Sequence, residues 1–328
     1  MRIGTIGTGF IVEHFLSAVA QIPDMNCTAI YSRTRENAEK VAWKFEIDTI
    51  YTDLNEMLAD ENINFVYVAS PNSLHYDHVR QALEMGKNVI CEKPFTSTTK
   101  EAKELIDLAK DKNLFLFEAI TTIHLPNFAL LRNHLDSLGR IRLVQASYSQ
   151  YSSRYDKLLS GELPNVFNPE FSGGALMDLG IYNLHFIIYL FGKPQNVQYY
   201  ANKHSNGIDT SGSLIMEYPD FIATSIAGKD TKGEDYVQIK GEYGYLYVYG
   251  GANGIRGFSV HLNSGLEETV DGQDNSNLVY YELLNFQAIY ANQDQYSCYT
   301  LLDHTEAVME VTEAARRSAN ITFPADKT

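Results

Sequence analysis

Arg2-Ile3-Gly4-Thr5-Ile6-Gly7-Thr8-Gly9-Phe10-Ile11-Val12 is the stretch that decides the fold. A short apolar run of strand character meets a Gly-x-Gly pair where an extended segment should turn into a helix. In that context the pair has a physical reading. Gly7 permits a tight turn, and Gly9 lets the backbone approach a pyrophosphate whose charge is met by amides at the helix N-terminus. Phe10 and Ile11, in the first helical turn, are further candidate contacts. Val12 stands where glycine or alanine is expected, a departure that bears on helix-to-strand packing and not on phosphate binding.

Tyr31-Ser32-Arg33-Thr34-Arg35 stands where a dinucleotide fold carries the group that meets the adenosine ribose. An acidic side chain there would suit the ribose hydroxyls of NAD. A hydroxyl and guanidinium groups suit a 2′-phosphate instead, because arginine offers fixed bidentate donors. Ser32 and Arg33 therefore favour NADP, with NAD still possible. The plainer reading is that Thr34 caps the next helix and both arginines are solvated.

Working outward, strand-like runs at 2–6, 27–31, 65–69, 88–91 and 114–117 alternate with helical patterns such as 73–85 and 99–109. Such alternation predicts βαβ units around a doubly wound parallel sheet. From about residue 141 the texture changes to longer alternating strands at 141–150, 197–202, 213–218, 222–227, 236–240 and 243–249, with helices at 175–191, 278–291 and 301–318. The expectation is an α/β protein. A Rossmann domain spans 1–120, and an α+β domain with a large, open, mostly antiparallel sheet spans 121–328, its last helix free to pack back on the first domain.

The 328 residues suffice for two domains, and 45% hydrophobic with 20% charged residues is ordinary for a globular chain. A formal net charge of −15 disfavours nucleic acid and anionic membrane surfaces as partners. Cys27, Cys91 and Cys298 are an odd number without close spacing, which fits buried free thiols and a cytoplasmic location. No apolar run reads as a bilayer span.

Val89-Ile90-Cys91-Glu92-Lys93-Pro94-Phe95 places an ionisable pair at the C-terminal end of a parallel strand, where α/β sheets bind ligands. Pro94 restricts the backbone of Lys93 and helps to aim its ammonium. In Asp178-Leu179-Gly180-Ile181-Tyr182-Asn183-Leu184-His185, a regular helix at about 100° per residue puts Asp178, Tyr182 and His185 on one face. Histidine titrates near neutral pH and suits proton exchange with a hydroxyl. The plainer readings are a core histidine and a helix N-terminal carboxylate. His75 and His78 share a helical face, yet no third ligand accompanies them, so no metal site is expected.

These motifs, with Ser70-Pro71-Asn72-Ser73-Leu74-His75, the segment Gly173-Gly174-Ala175 leading into Asp178, and Asp303-His304-Thr305-Glu306, closely resemble the Gfo/Idh/MocA family of oxidoreductases. The resemblance implies that Lys93 lies beside the nicotinamide and the reacting hydroxyl, faced by Asp178 and His185 from the second domain. It also places Ser70, Asn72, His75 and Glu92 among the cofactor contacts. The expected chemistry is hydride transfer between NADP or NAD and a CH–OH group of a sugar, polyol or cyclic diol. Lys93 with His185 or Tyr182 forms the acid/base system, and Asp178 orients the substrate. Thr122 and His124 depart from the aromatic or arginine that relatives often carry at the domain crossover, so substrate preference is not transferable. Tyr243, Tyr245, Tyr247 and Tyr249 recur at every second position and would line one strand face; relatives often dimerise through this sheet, so a homo-oligomer is expected. The alternatives are a non-catalytic NADP-binding regulator and an enzyme that uses bound nucleotide transiently, as a dehydratase or glycosidase.

Overall fold

A computed structural model describes residues 1–327. The chain forms two compact units, Met1–Ala119 with Asn277–Glu306, and Ile120–Ser276 with Ala307–Thr328. In the first, β1 (Arg2–Ile6), α1 (Phe10–Val19), β2 (Asn26–Tyr31), α2 (Arg35–Phe45), β3 (Thr49–Tyr51), α3 (Leu54–Ala59), β4 (Phe65–Val68), α4 (His75–Glu84), β5 (Asn88–Glu92), α5 (Thr99–Asp111) and β6 (Leu116–Ala119) alternate. Their strands form one parallel sheet in the order β3-β2-β1-β4-β5-β6. The order reverses between β1 and β4, and at such a switch point the loops beyond the strand ends part to leave a ligand crevice. The strands were legible because both faces of a parallel sheet are buried, so β4 reads as an unbroken apolar run. The edge strand β3 escapes that signal: its three residues are only half buried. Val12, at the departing glycine position, is fully buried in the core with Phe15 and Ile30, so its bulk is accommodated by packing. The start of α5 carries a complete capping box between Thr98 and Glu101.

The second unit contributes α6 (Pro126–Arg132), β7 (Ile141–Ser149), α7 (Tyr155–Leu159), α8 (Ile181–Phe191), β8 (Asn196–Lys203), β9 (Asp209–Glu217), β10 (Ile222–Gly228), β11 (Tyr236–Gly241), β12 (Gly244–Tyr249), α9 (Gly251–Gly254), β13 (Phe258–Leu262) and β14 (Glu267–Val270). Its eight strands run β14-β13-β12-β11-β7-β10-β9-β8, antiparallel except for the β7–β10 pair. β13 and β14 are additions to the sequence reading; β14 is an exposed edge strand of Glu267, Glu268, Thr269 and Val270, without the alternation that marks a half-buried strand. The apolar stretch Pro169–Phe191 is long enough to cross a bilayer, contrary to expectation, but most of it is buried in the protein. There Ile181, Leu184, Phe186 and Ile187 are fully enclosed, which accounts for their hydrophobicity.

The chain closes with α10 (Val279–Ala291) and α11 (Gln295–Ser318). The sequence reading draws a boundary at 120/121 and leaves the last helix free to pack back on the first domain; residues 277–306, α10 and the first half of α11, belong to the first unit. Aromatic packing explains the return. Phe286 stacks on Phe117 with centroids 4.4 Å apart, and Tyr290 meets Phe65 edge-on at 4.9 Å.

Candidate functional site

The glycine turn shapes a cleft of about 520 Å³ in the first unit, lined by Gly7, Thr8, Gly9, Ser32, Arg33, Thr34, Asn37, Ser70 and Pro71 among others. Gly7 has φ +121°, and a Cβ there would stand 2.6 Å from the Ala69 carbonyl oxygen, so glycine is required on both counts. Gly9 caps α1 in an extended conformation, and nothing lies within 4 Å of the place its Cβ would take. The backbone is thus bare where an anion would approach the helix. Ser32 Oγ accepts from the Thr34 amide at 3.4 Å, while Arg33 is exposed at the rim. Thr34 is the N-cap residue of α2 but makes no side-chain cap bond. Phe10 is largely exposed and stacks at an angle on His14.

Ser70, Asn72 and His75 follow β4, Glu92 ends β5 and Lys93 comes directly after it. His75 ties these two loops together. Its Nδ1 lies 3.0 Å from the Pro94 carbonyl oxygen and its Nε2 2.9 Å from that of Ser70. Burial pushes the imidazole below its ordinary pKa, against the pull of those two carbonyls. His75 is therefore a buried brace behind the loops, not a lining residue of the glycine cleft. Glu92 is buried as well: the Tyr67 hydroxyl donates to its Oε1 at 2.6 Å. Burial raises the carboxyl to about 7, opposed by the Tyr67 hydrogen bond and by the charge of Lys93. Two more buried carboxyl groups, unforeseen in the sequence, lie in the same unit. Glu118 accepts from the Phe95 amide at 3.1 Å and from the Thr305 hydroxyl at 2.8 Å. Glu282 on α10 is raised well above the carboxylate range by burial, with Glu92 and Glu118 adding repulsion.

In the second unit the segment after Gly173-Gly174 departs from the regular helix assumed above. Leu176–Gly180 forms a π turn before α8 begins at Ile181. The wider turn changes the angular step between Asp178 and α8, which carries Tyr182 and His185. Asp178 and Tyr182 are half-buried, and His185 is fully buried. His124, which precedes α6, has its imidazole pushed down to about 3 by burial, and the neighbouring His185 acts in the same direction. Tyr182 meets Tyr148 edge-on at 5.8 Å.

The structure adds a cation that no motif had marked. Lys229, directly after β10, is almost fully buried and forms an ion pair with Asp178. In sequence it opens the polar run Lys229-Asp230-Thr231-Lys232 and reads as surface. Beneath it Asp209 is buried, accepting from the Leu176 amide at 2.7 Å and the Tyr199 hydroxyl at 2.9 Å. Gly174, at φ +113°, gives Asp209 its room, because a Cβ there would meet Oδ1 at 2.1 Å. Gly174 is the trace that this buried acid leaves in the sequence.

Tyr245, Tyr247 and Tyr249 occupy one face of β12, with Leu246 and Val248 buried on the other. Tyr243 lies just before the strand, against Gly139. The same open face exposes Leu143, Ile222 and Ile226 from β7 and β10. The opposite face is covered by α8, whose Asn183 amide donates to Ser225 Oγ and to the Ile226 carbonyl, both at 3.1 Å.

Residues 1–119 match the GFO/IDH/MocA oxidoreductase family with its NAD-binding Rossmann fold, and residues 129–247 match the GFO/IDH/MocA C-terminal domain. The scyllo-inositol 2-dehydrogenase (NADP(+)) IolU of Bacillus subtilis (strain 168) is 36% identical over 327 residues, spanning 100% of this chain and 99% of that protein. Mouse (Mus musculus) trans-1,2-dihydrobenzene-1,2-diol dehydrogenase is 27% identical over 349 residues, spanning 100% and 99%. A levoglucosan dehydrogenase solved with NADH and levoglucosan superposes with a TM-score of 0.85 at 21% identity, covering 100% of this chain and 98% of that one, a likeness of fold.

Proposed function

This chain belongs to the GFO/IDH/MocA family of oxidoreductases, and from that membership we propose that it is an NADP-preferring dehydrogenase acting on a CH–OH group of a cyclic polyol or related sugar. The observation that carries the cofactor reading is the glycine cleft. Its residues fit a dinucleotide: a bare backbone at Gly9, a turn at Gly7 that admits no side chain, and Ser32 and Arg33 at the rim with no carboxylate among the lining residues. Backbone amides at the start of α1 would hold the pyrophosphate, and Ser32 with Arg33 the ribose 2′-phosphate. Once bound, the nicotinamide supplies a hydride acceptor or donor for the substrate carbon.

The protein's own residues do the rest. Lys93 offers its ammonium to the reacting oxygen, stabilising the charge that develops as the hydroxyl loses its proton. His185 or Tyr182 exchanges that proton with the surroundings. Asp178, paired with Lys229, accepts hydrogen bonds from neighbouring substrate hydroxyls and so orients the ring. Reaction in the other direction uses the same groups in reverse. The substrate class rests on the 36% identity to an NADP-dependent inositol dehydrogenase along the whole chain. In solution the open sheet face carrying Tyr245, Tyr247 and Tyr249 would pair with a second copy, and the chain would work in the cytoplasm.

The test is reduced-nicotinamide absorbance with NADP and with NAD over a panel of inositols, aldoses and cyclic diols, with scyllo-inositol first. At least one polyol should be oxidised, NADP should give the higher kcat/KM, and Lys93→Met should lose about 10²- to 10⁴-fold in kcat. A wild-type rate in Lys93→Met, or no turnover with any member of the panel, overturns the reading.

A further inference from the structure

Lys229 has no surface role available to it. Its side chain is 6% exposed, and its backbone is pinned on both sides, the amide donating to the Thr210 carbonyl at 2.7 Å and the carbonyl accepting from the Ser152 amide at 2.8 Å. The ammonium lies 5.8 Å from the centroid of the buried Phe167 ring. A lysine this enclosed loses most of its hydration, so the charge persists only if anions replace the water. Two carboxyl groups bear on it. Asp178 pairs with it directly, and the charge of Lys229 opposes the upward shift that burial imposes on the Asp209 carboxyl. They differ in what else holds them. Asp209 is 1% exposed and already accepts from Leu176 and Tyr199, so it is a fixed internal acid. The Asp178 side chain is 31% exposed and rides on the π turn.

We propose that Lys229 is a positioning residue for substrate binding: enclosed and pinned at its backbone, it fixes the rotamer of Asp178, which grips a substrate hydroxyl. The inference rests on the reading of Asp178 given above. The buried arm ends in a partly open carboxylate, an arrangement suited to one anion that must point in one direction on an irregular turn. Lys229 itself is too enclosed to touch the substrate, so its contribution passes through Asp178. Asp230 follows Lys229 in the chain, but its Oδ2 is engaged by Ser211. The π turn acquires a purpose in this arrangement. It presents Asp178 toward the strand end from which Lys229 departs, and Gly174 makes room for Asp209 underneath.

The experiment compares wild type, Lys229→Met, Lys229→Arg and Asp178→Asn with the polyol from the panel that the wild type oxidises best. Lys229→Met should raise KM by about 10- to 100-fold, the size expected when a charged hydrogen bond to substrate loses its alignment, with kcat changed less than about threefold. Lys229→Arg should recover most of the loss. Combining Lys229→Met with Asp178→Asn should cost no more than Asp178→Asn alone, because both act on one contact. A second readout needs no substrate. In ¹⁵N-lysine spectra of the unliganded protein, the Lys229 ammonium should be visible through slow proton exchange and should vanish or shift in Asp178→Asn. Wild-type KM in a folded Lys229→Met protein, additive losses in the double variant, or an ammonium indifferent to Asp178→Asn would each refute the proposal. If Lys229→Met does not fold, Lys229→Arg and the ammonium signal decide the matter. A wild type that oxidises no polyol fails at the earlier step, and then the dehydrogenase reading falls with this inference.

Discussion

Glu92 shows how far a site residue can depart from its solution chemistry. Its carboxyl stands at 4.5 in an unstructured chain and at about 7 in the fold, because burial penalises the charged form more than Tyr67 and Lys93 favour it. Between those two values the folded protein binds a proton that the unfolded chain has released. This group therefore lowers stability as pH rises through that window, and its effect levels off above about 7. Glu92→Gln removes the titration. Its thermal midpoint should match the wild type most closely near pH 4.5 and exceed it increasingly up to pH 7, by as much as about 3 kcal/mol in unfolding free energy. A gap that does not vary with pH would refute this account. The sequence marked Glu92 by its place at a strand end, but not its burial, since which way a strand-terminal side chain turns is settled by neighbours such as Tyr67 that lie distant in the chain.

At the scale of elements, the π turn and its glycine pair make a sharper demand. Gly174→Ala must place a Cβ against Asp209 at a φ that L-residues avoid, and it should cost on the order of 3 kcal/mol in denaturant unfolding. Gly233→Ala is the contrasting case: its added Cβ would meet nothing closer than 3.9 Å, and the change should stay within about 0.5 kcal/mol. Equal losses at the two positions would remove Asp209 from the explanation. This element also shows where the sequence stopped being readable. The strands β1, β2, β4 and β5 announce themselves by composition, and the Gly7 turn by its spacing. The π turn does not, because its apolar residues are compatible with an ordinary helix. Lys229 was invisible for a related reason: a buried ion pair requires two segments 51 residues apart, and no local pattern records their meeting.

For the molecule in solution, the open sheet face is the feature that matters. Leu143, Ile222 and Ile226 share that face with the tyrosine stripe of β12, and Gln238 and Lys240 of β11 lie between the two groups. Such a surface suits burial against a second copy, its tyrosine tips finding polar partners at the rim. The double variant Ile226→Glu, Tyr245→Glu should sediment as a monomer while retaining the unfolding midpoint of the wild type to within a few degrees. An unchanged sedimentation profile would mean that copies associate elsewhere or not at all. The sequence displayed the tyrosines through their period of two; Ile226 joined them only once β10 was known to lie beside β7.

The return of α10 to the first unit has a consequence for biosynthesis. Phe117 and Phe65 wait for Phe286 and Tyr290, which leave the ribosome more than 160 residues later. During translation the nucleotide half must remain unfinished, its aromatic floor uncovered, until the intervening half has emerged. A nascent chain stalled before residue 277 would thus offer chaperones a sticky surface that the completed protein never displays.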